Sequence, residues 1–258
     1  MQWQERQSQQ QQRPHYGQGA PEDNFSQEAV YSDPRAQLTS GVNRFMAGVF
    51  GWMGAGMAVT ATVILLLTTV GSTSIMPLFY PIEGGMTGLG MMVSFAPLLF
   101  VLFVSRRMET MSPANAKLSF MFFAGLFGLS LAYLPQYYNL PSLLGTFLVT
   151  TLMYGSIAAY GYFTKKDLSA WGNFLFMALI GMIFALFASM LFGLDTFLLS
   201  ALFVLLFAGL TAYETQSIKQ MYLVQGSRGN LAIMGALSLY ITFVNMFLWI
   251  LRLFGGRR

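Results

Sequence analysis

Seven times between Phe45 and Phe254 the chain runs through eighteen or more residues carrying at most one charge. The runs lie near 45–70, 86–104, 115–133, 141–163, 169–193, 196–213 and 231–254. At about 1.5 Å of rise per residue, each is long enough as a helix to cross about 30 Å of hydrocarbon. A bilayer offers no water to backbone N–H and C=O groups, so such segments must pair those groups internally, as helices do. The expected fold is an all-α integral membrane protein, a seven-helix transmembrane bundle over residues 43–258. Composition agrees, because 55% hydrophobic and 9% charged residues leave too few charges to cover a water-soluble surface.

Residues 1–42 are of another kind. "QSQQQQRP" and "QGAPEDN" supply glutamine, proline and small polar residues with no periodic apolar face, the composition of a mostly disordered tail. No basic stretch leads straight into an apolar core and a small-residue cleavage site, so this is not a secretory signal peptide. Inside the bundle, "MSPANAK" offers Ser112 as a helix N-cap with Pro113 at the first helical position. "KKDLSAWG" offers Asp167 in the same role for the fifth helix. Ala47, Gly51 and Ala55, spaced four apart, would let another helix approach the first one closely.

Basic residues orient the bundle. Arg6, Arg13, Arg35 and Arg44 precede the first segment; Arg106, Arg107 and Lys117 flank the second loop; Lys165 and Lys166 lie in the fourth, Lys219 and Arg228 in the sixth. These are 11 of the 14 Lys and Arg, and the loops after segments one, three and five have none. The positive-inside bias makes the N-terminus cytoplasmic. "RLFGGRR" then puts three arginines on the opposite side. Either the seventh segment does not fully cross, or the upstream bias overrides a short basic end, which is the preferred reading. A chain without native cysteine suits a direct test. Ser72→Cys should react with an impermeant thiol reagent from outside and Thr164→Cys only from the cytoplasm; the reverse pattern would invert the topology.

Residue types exclude several membrane chemistries. With no cysteine there is no thiolate nucleophile or cysteine metal site, and the single histidine, His15, sits in the tail, so no Ser/His dyad can form in the membrane. A retinal protein needs a lysine in its last helix, and 231–254 has none. Asp195 and Glu214 weakly suggest a protease pair, yet 19 residues of one helix hold them about 28 Å apart. There is no phosphate-binding glycine loop and no pattern suited to nucleic acid, and no catalytic residue is assigned.

Polar residues in a row remain. Ser238, Thr242, Asn245 and Arg252 follow spacings that place them on one face of the seventh helix, and Thr211 and Glu214 share a face of the sixth. Ionisable groups at membrane depth are costly and usually face a cavity or a counter-charge. Glu214 is the acid of interest, but counted inward from Asp195 it reaches the inner headgroup boundary, whereas Thr242 lies about 16 Å in from Leu231, near the midplane.

"RRMETMSPANAKLSFMFF", "GYFTKKDLSAWG", "AYETQSIKQ" and "GALSLYITFVNMFLWILRLFG" together resemble the Bax-inhibitor-1 (transmembrane Bax inhibitor motif) family, most closely its bacterial members, over about residues 40–255. The resemblance implies a bundle with the seventh helix central and a pH-sensitive calcium leak. In that family an acid of the sixth helix faces an aspartate of the seventh, and the two carboxylates share a proton. An arginine at the end of the second helix latches the sixth-helix acid. Carried over, the acid is Glu214 and the arginine Arg106, with Arg107 as the alternative. "LYITFVN" puts Thr242 where the second aspartate would stand, so the pair is incomplete. Thr211, Ser238 and Asn245 are the expected polar lining of the pathway. No cofactor is implied; calcium enters as a permeant or transiently bound ion with Glu214 as its charged ligand. The membrane is that of a bacterial cytoplasm, and lipid, calcium and protons are the partners. A regulatory, non-conducting protein that restrains a membrane protease or another membrane complex is the alternative; deleting residues 1–40 would spare a leak and abolish docking through the tail.

Overall fold

The computed structural model describes residues 34–71, 75–81, 86–193, 196–226 and 229–256, apart from the side chains of Pro34 and Arg106. These residues form seven helices long and apolar enough to cross a membrane: α1 Pro34–Thr69, α2 Gly88–Met108, α3 Pro113–Ser130, α4 Leu140–Phe163, α5 Ser169–Phe192, α6 Phe197–Gln225 and α7 Leu231–Phe254. One-turn helices Met76–Phe79 and Leu134–Tyr137 precede α2 and α4. The chain divides into two compact units, Met1–Ser40 and Gly41–Arg258. In the first, residues 34–40 are helical, with Thr39 Oγ1 donating to the Arg35 carbonyl at 2.8 Å. Helix thus begins nine residues before the expected start of the bundle at 43. Pro34 sets φ for a first turn, and Arg35, Ala36, Gln37 and Leu38 favour helix. The rest of the expected tail, residues 1–33, lies outside the described residues.

Local signals set most helix ends. Ser112 caps α3, accepting from the Asn115 N–H at 3.3 Å, as its sequence predicts. Thr87 and Asn139 cap α2 and α4 in the same way, two signals not read from the sequence. Asp167 is displaced by one position: Leu168 is the N-cap of α5, while Asp167 Oδ1 accepts from the Ser169 N–H at 2.9 Å. The Ser169 hydroxyl and then its N–H hold the Asp167 carboxyl below its usual range. Gly193 and Gly226 follow α5 and α6 at φ of 63° and 69°, conformations in which a side chain would be strained.

α7 is the centre of the bundle. Of its apolar window 61% is buried, against 11% for α2 and α5, whose outward faces present residues such as Phe103, Phe184, Phe187 and Leu191 to lipid. Lipid is as apolar as leucine, so close packing and hydrogen bonds, rather than expulsion of water, must select the helix contacts. Tyr240 shows both. Phe120, Phe123 and Phe127 of α3 meet its ring edge-on, and its hydroxyl lies 2.6 Å from Thr60 Oγ1 of α1. Thr60 is also 2.9 Å from the Ala124 carbonyl of α3. One buried hydroxyl pair therefore ties three helices together.

Small residues admit the closest approaches, though not the ones expected on α1. Ala47 and Gly51 are exposed, and the face that packs inward carries Val42, Phe45, Met46, Val49, Met53 and Gly56. A Cβ on Gly56 would fall 2.6 Å from the Phe120 ring, and one on Gly161 of α4 would fall 2.9 Å from Ala212 Cα of α6. Spacing by four marked a stripe of small residues, but the bulkier stripe beside it offers more dispersion contact to the core.

Candidate functional site

α6 runs to Gln225, twelve residues beyond the end of its apolar run at 213. The extension follows from helix formers, Glu214, Gln216, Lys219 and Gln220 among them, with Gly226 as the stop. It also changes the depth of Glu214. Eleven residues separate Glu214 from Gln225, and eleven separate Leu231 from Thr242. The two helices are consecutive and separated by only five residues in sequence, so both residues stand about 16 Å from the connected helix ends. The mismatch of depths expected from the apolar run is removed.

The two side chains meet. Thr242 Oγ1 donates to Glu214 Oε2 at 2.6 Å, within the range of charge-assisted O–H···O bonds, while its contact with its own helix, to the Ser238 carbonyl, is 3.2 Å. The Ser238 hydroxyl lies within electrostatic reach of the same carboxylate. Thr242 is buried and Glu214 and Ser238 are half-buried. Tyr154 of α4, absent from the sequence reading, is within electrostatic reach of Glu214; its hydroxyl donates to the Leu239 carbonyl at 2.9 Å and lies beside the Thr211 hydroxyl. A tyrosine in mid-membrane must place its O–H on a partner, which is the signal that could have flagged it.

Not every expected lining residue joins this cluster. Thr211 is buried and donates to the Phe207 carbonyl at 2.7 Å. Asn245 donates to Ile241 of its own helix at 2.8 Å and borders a separate cavity with Arg252. Arg252 is exposed rather than turned inward, donating to Thr196 Oγ1 at 3.0 Å and lying 5.5 Å from the Trp249 ring. Arg107 is exposed; the Arg106 side chain and Asp195 lie outside the described residues.

The loops at this end are pinned to the same two helices. Gln216 accepts from the Leu168 N–H and donates to the Lys166 carbonyl, both at 2.8 Å, holding the α4–α5 loop against α6. Lys219 Nζ donates to the Tyr162 carbonyl at 2.8 Å. Asn230 donates to the carbonyls of Met108 and Met111, at 3.0 Å for Met108, tying the end of α2 to the start of α7. The first three of the stretches quoted above thus meet the start of α7 at one end of the bundle.

Among the described residues no three His, Cys, Asp or Glu side chains gather as for a resident metal. One carboxylate with two hydroxyls falls well short of the six to eight oxygens calcium takes at rest. Such a cluster can offer a cation passing contact and can hold or release one proton.

The family described as "Inhibitor of apoptosis-promoting Bax1" matches residues 42–258. The chain is 37% identical over 234 residues to the inner membrane protein YbhL of Escherichia coli strain K12, covering 88% of this chain and 97% of that protein. It is 35% identical over 231 residues to an uncharacterized protein of Caulobacter vibrioides, covering 86% and 92% of the two chains. A further uncharacterized protein, from Rickettsia prowazekii, is 34% identical over 223 residues, covering 84% and 92%.

Proposed function

Because the chain belongs to the Bax inhibitor-1 family, we propose that this integral membrane protein is a calcium leak, channel or transporter, gated around Glu214 and placed in a bacterial inner membrane with its N-terminus in the cytoplasm. The observation that carries the reading is the 2.6 Å bond between Thr242 and Glu214 at the meeting of α6 and α7. A carboxylate kept at membrane depth on neutral hydroxyls is an expensive feature for structure alone and a useful one for a cation pathway. Its oxygens, with those of Ser238 and Thr242, are hard ligands of the kind calcium prefers, and too few to trap it. Calcium is the cargo here, not a resident cofactor.

With a hydroxyl instead of a second acid, the cluster has one proton to lose and no second carboxylate to share it. The pH response of the natural chain is therefore shallow. The closing contact is assigned to Glu214 and Arg106. Removing one member of a desolvated pair strands the other charge, so Glu214→Gln and Arg106→Ala should each raise calcium entry into indicator-loaded liposomes by about ten-fold, and the double variant should do no more than either alone. Flux no greater than in empty vesicles at every pH would remove the leak reading, and additive single effects would remove the latch.

A further inference from the structure

Two cavities outside the Glu214 cluster adjoin at Tyr80, Leu134 and Gln136. The larger, about 800 Å³, lies between α1, α4 and α7, with Ile64, Leu65, Leu144, Phe147, Phe243 and Val244 among its lining, and the Thr60–Tyr240 pair borders it. The smaller, about 540 Å³, is edged by Tyr133, Tyr137, Tyr138, Asn245, Trp249 and Arg252. Both volumes fall in the range of about 300–1,000 Å³ typical of small-molecule sites.

The two differ in depth and chemistry along one direction. Arg252 lies two residues before the end of α7, and tyrosine and tryptophan gather round it as they do at headgroup level. Tyr240 lies twelve residues, more than three turns, further into the same helix, where the apolar cavity begins. Among the described residues, Arg252 is the one charged group on either lining. Its guanidinium rests on the Trp249 ring and spends one N–H on Thr196, in the fork geometry that suits phosphate or carboxylate. An apolar space topped by aromatic rings and a cation matches a lipid that lays one of its hydrocarbon chains in the space and sets an anionic head beside the cation.

We propose that these adjoining cavities hold one anionic membrane phospholipid, an acyl chain along α1, α4 and α7 and its phosphate beside Arg252. Glu214 and Thr242 line neither cavity, so the site stands independently of the calcium reading.

Native mass spectrometry of the delipidated full chain, offered equal phosphatidylglycerol and phosphatidylcholine, tests it. One lipid should stay bound per chain, with phosphatidylglycerol preferred by about ten-fold, the scale of one charge-assisted contact. Ala61→Phe and Leu144→Trp, at two lining positions, should each abolish the adduct. Arg252→Gln should keep the adduct and bring the preference to about one. Dihexanoyl phosphatidylglycerol, whose short chains cannot fill the apolar cavity, should fail to compete, a result that needs no variant to fold. A non-saturating series of adducts, equal competition by the short-chain lipid, or an unchanged preference in Arg252→Gln would overturn the site.

Discussion

Replacing Thr242 by aspartate is expected to make the proposed calcium flux steeply pH-dependent, whereas the natural chain is expected to respond shallowly between about pH 5 and 8. The geometry is direct: the Thr242 hydroxyl already touches Glu214 Oε2 at 2.6 Å, so an aspartate there places two carboxylates within a few ångströms. Two such groups in a poorly hydrated site do not both ionise readily, and they hold one proton between them over a range in which a single acid would have lost its own. As pH rises and that proton leaves, a second charged oxygen becomes available to calcium, so the apparent affinity should rise by about ten-fold from the acid to the alkaline end. Thr242→Asn, close in shape and unable to ionise, should remain shallow. If the natural chain is already as steep as Thr242→Asp, the sensor lies elsewhere and Glu214 with Thr242 is not the responsive pair.

Gly161→Val should unseat the bundle. A Cβ at 161 would lie 2.9 Å from Ala212 Cα and closer still to its carbonyl oxygen. Those are backbone atoms with no rotamer to yield, so α4 and α6 must move apart. Overpacking of this kind costs about 3 kcal/mol, and at 2–4 °C per kcal/mol for a domain of this size the Tm in detergent should fall by about 10 °C. Ala212 is two residues before Glu214, so the displacement should also disturb the carboxylate. Gly155→Val is the control, since a Cβ at 155 on the same helix meets nothing within 4 Å. Equal Tm values for the two variants would show that α4 and α6 do not depend on this contact.

The apolar runs and the caps were legible because each is a local property of the chain. Ser112 before Pro113 marks a helix start whatever surrounds it. The reach of α6 was legible too, in Gly226 and the helix formers before it, but counting apolar residues alone stops at 213 and strands Glu214 at the membrane edge. The Ala47–Gly51–Ala55 stripe misled for a related reason. Small size permits close approach without saying which neighbour will take it, and in a bilayer the choice falls to whichever faces pack most completely.

Local chemistry therefore determined that this chain crosses a membrane in seven helices, which residues are polar within them, and that one acid stands where the family resemblance expects two. Tertiary structure alone decided that Glu214 and Thr242 lie at one depth and touch, that Tyr154 lies within electrostatic reach of that pair, that Gln216 and Asn230 clamp distant loops, and that Arg252 turns to a separate aromatic cavity. The physical reason is the range of the forces. Backbone pairing and apolarity act within a few turns, so sequence spacing encodes them. A hydrogen bond between residues 28 positions apart, or 85, exists only once packing has set the height and rotation of whole helices.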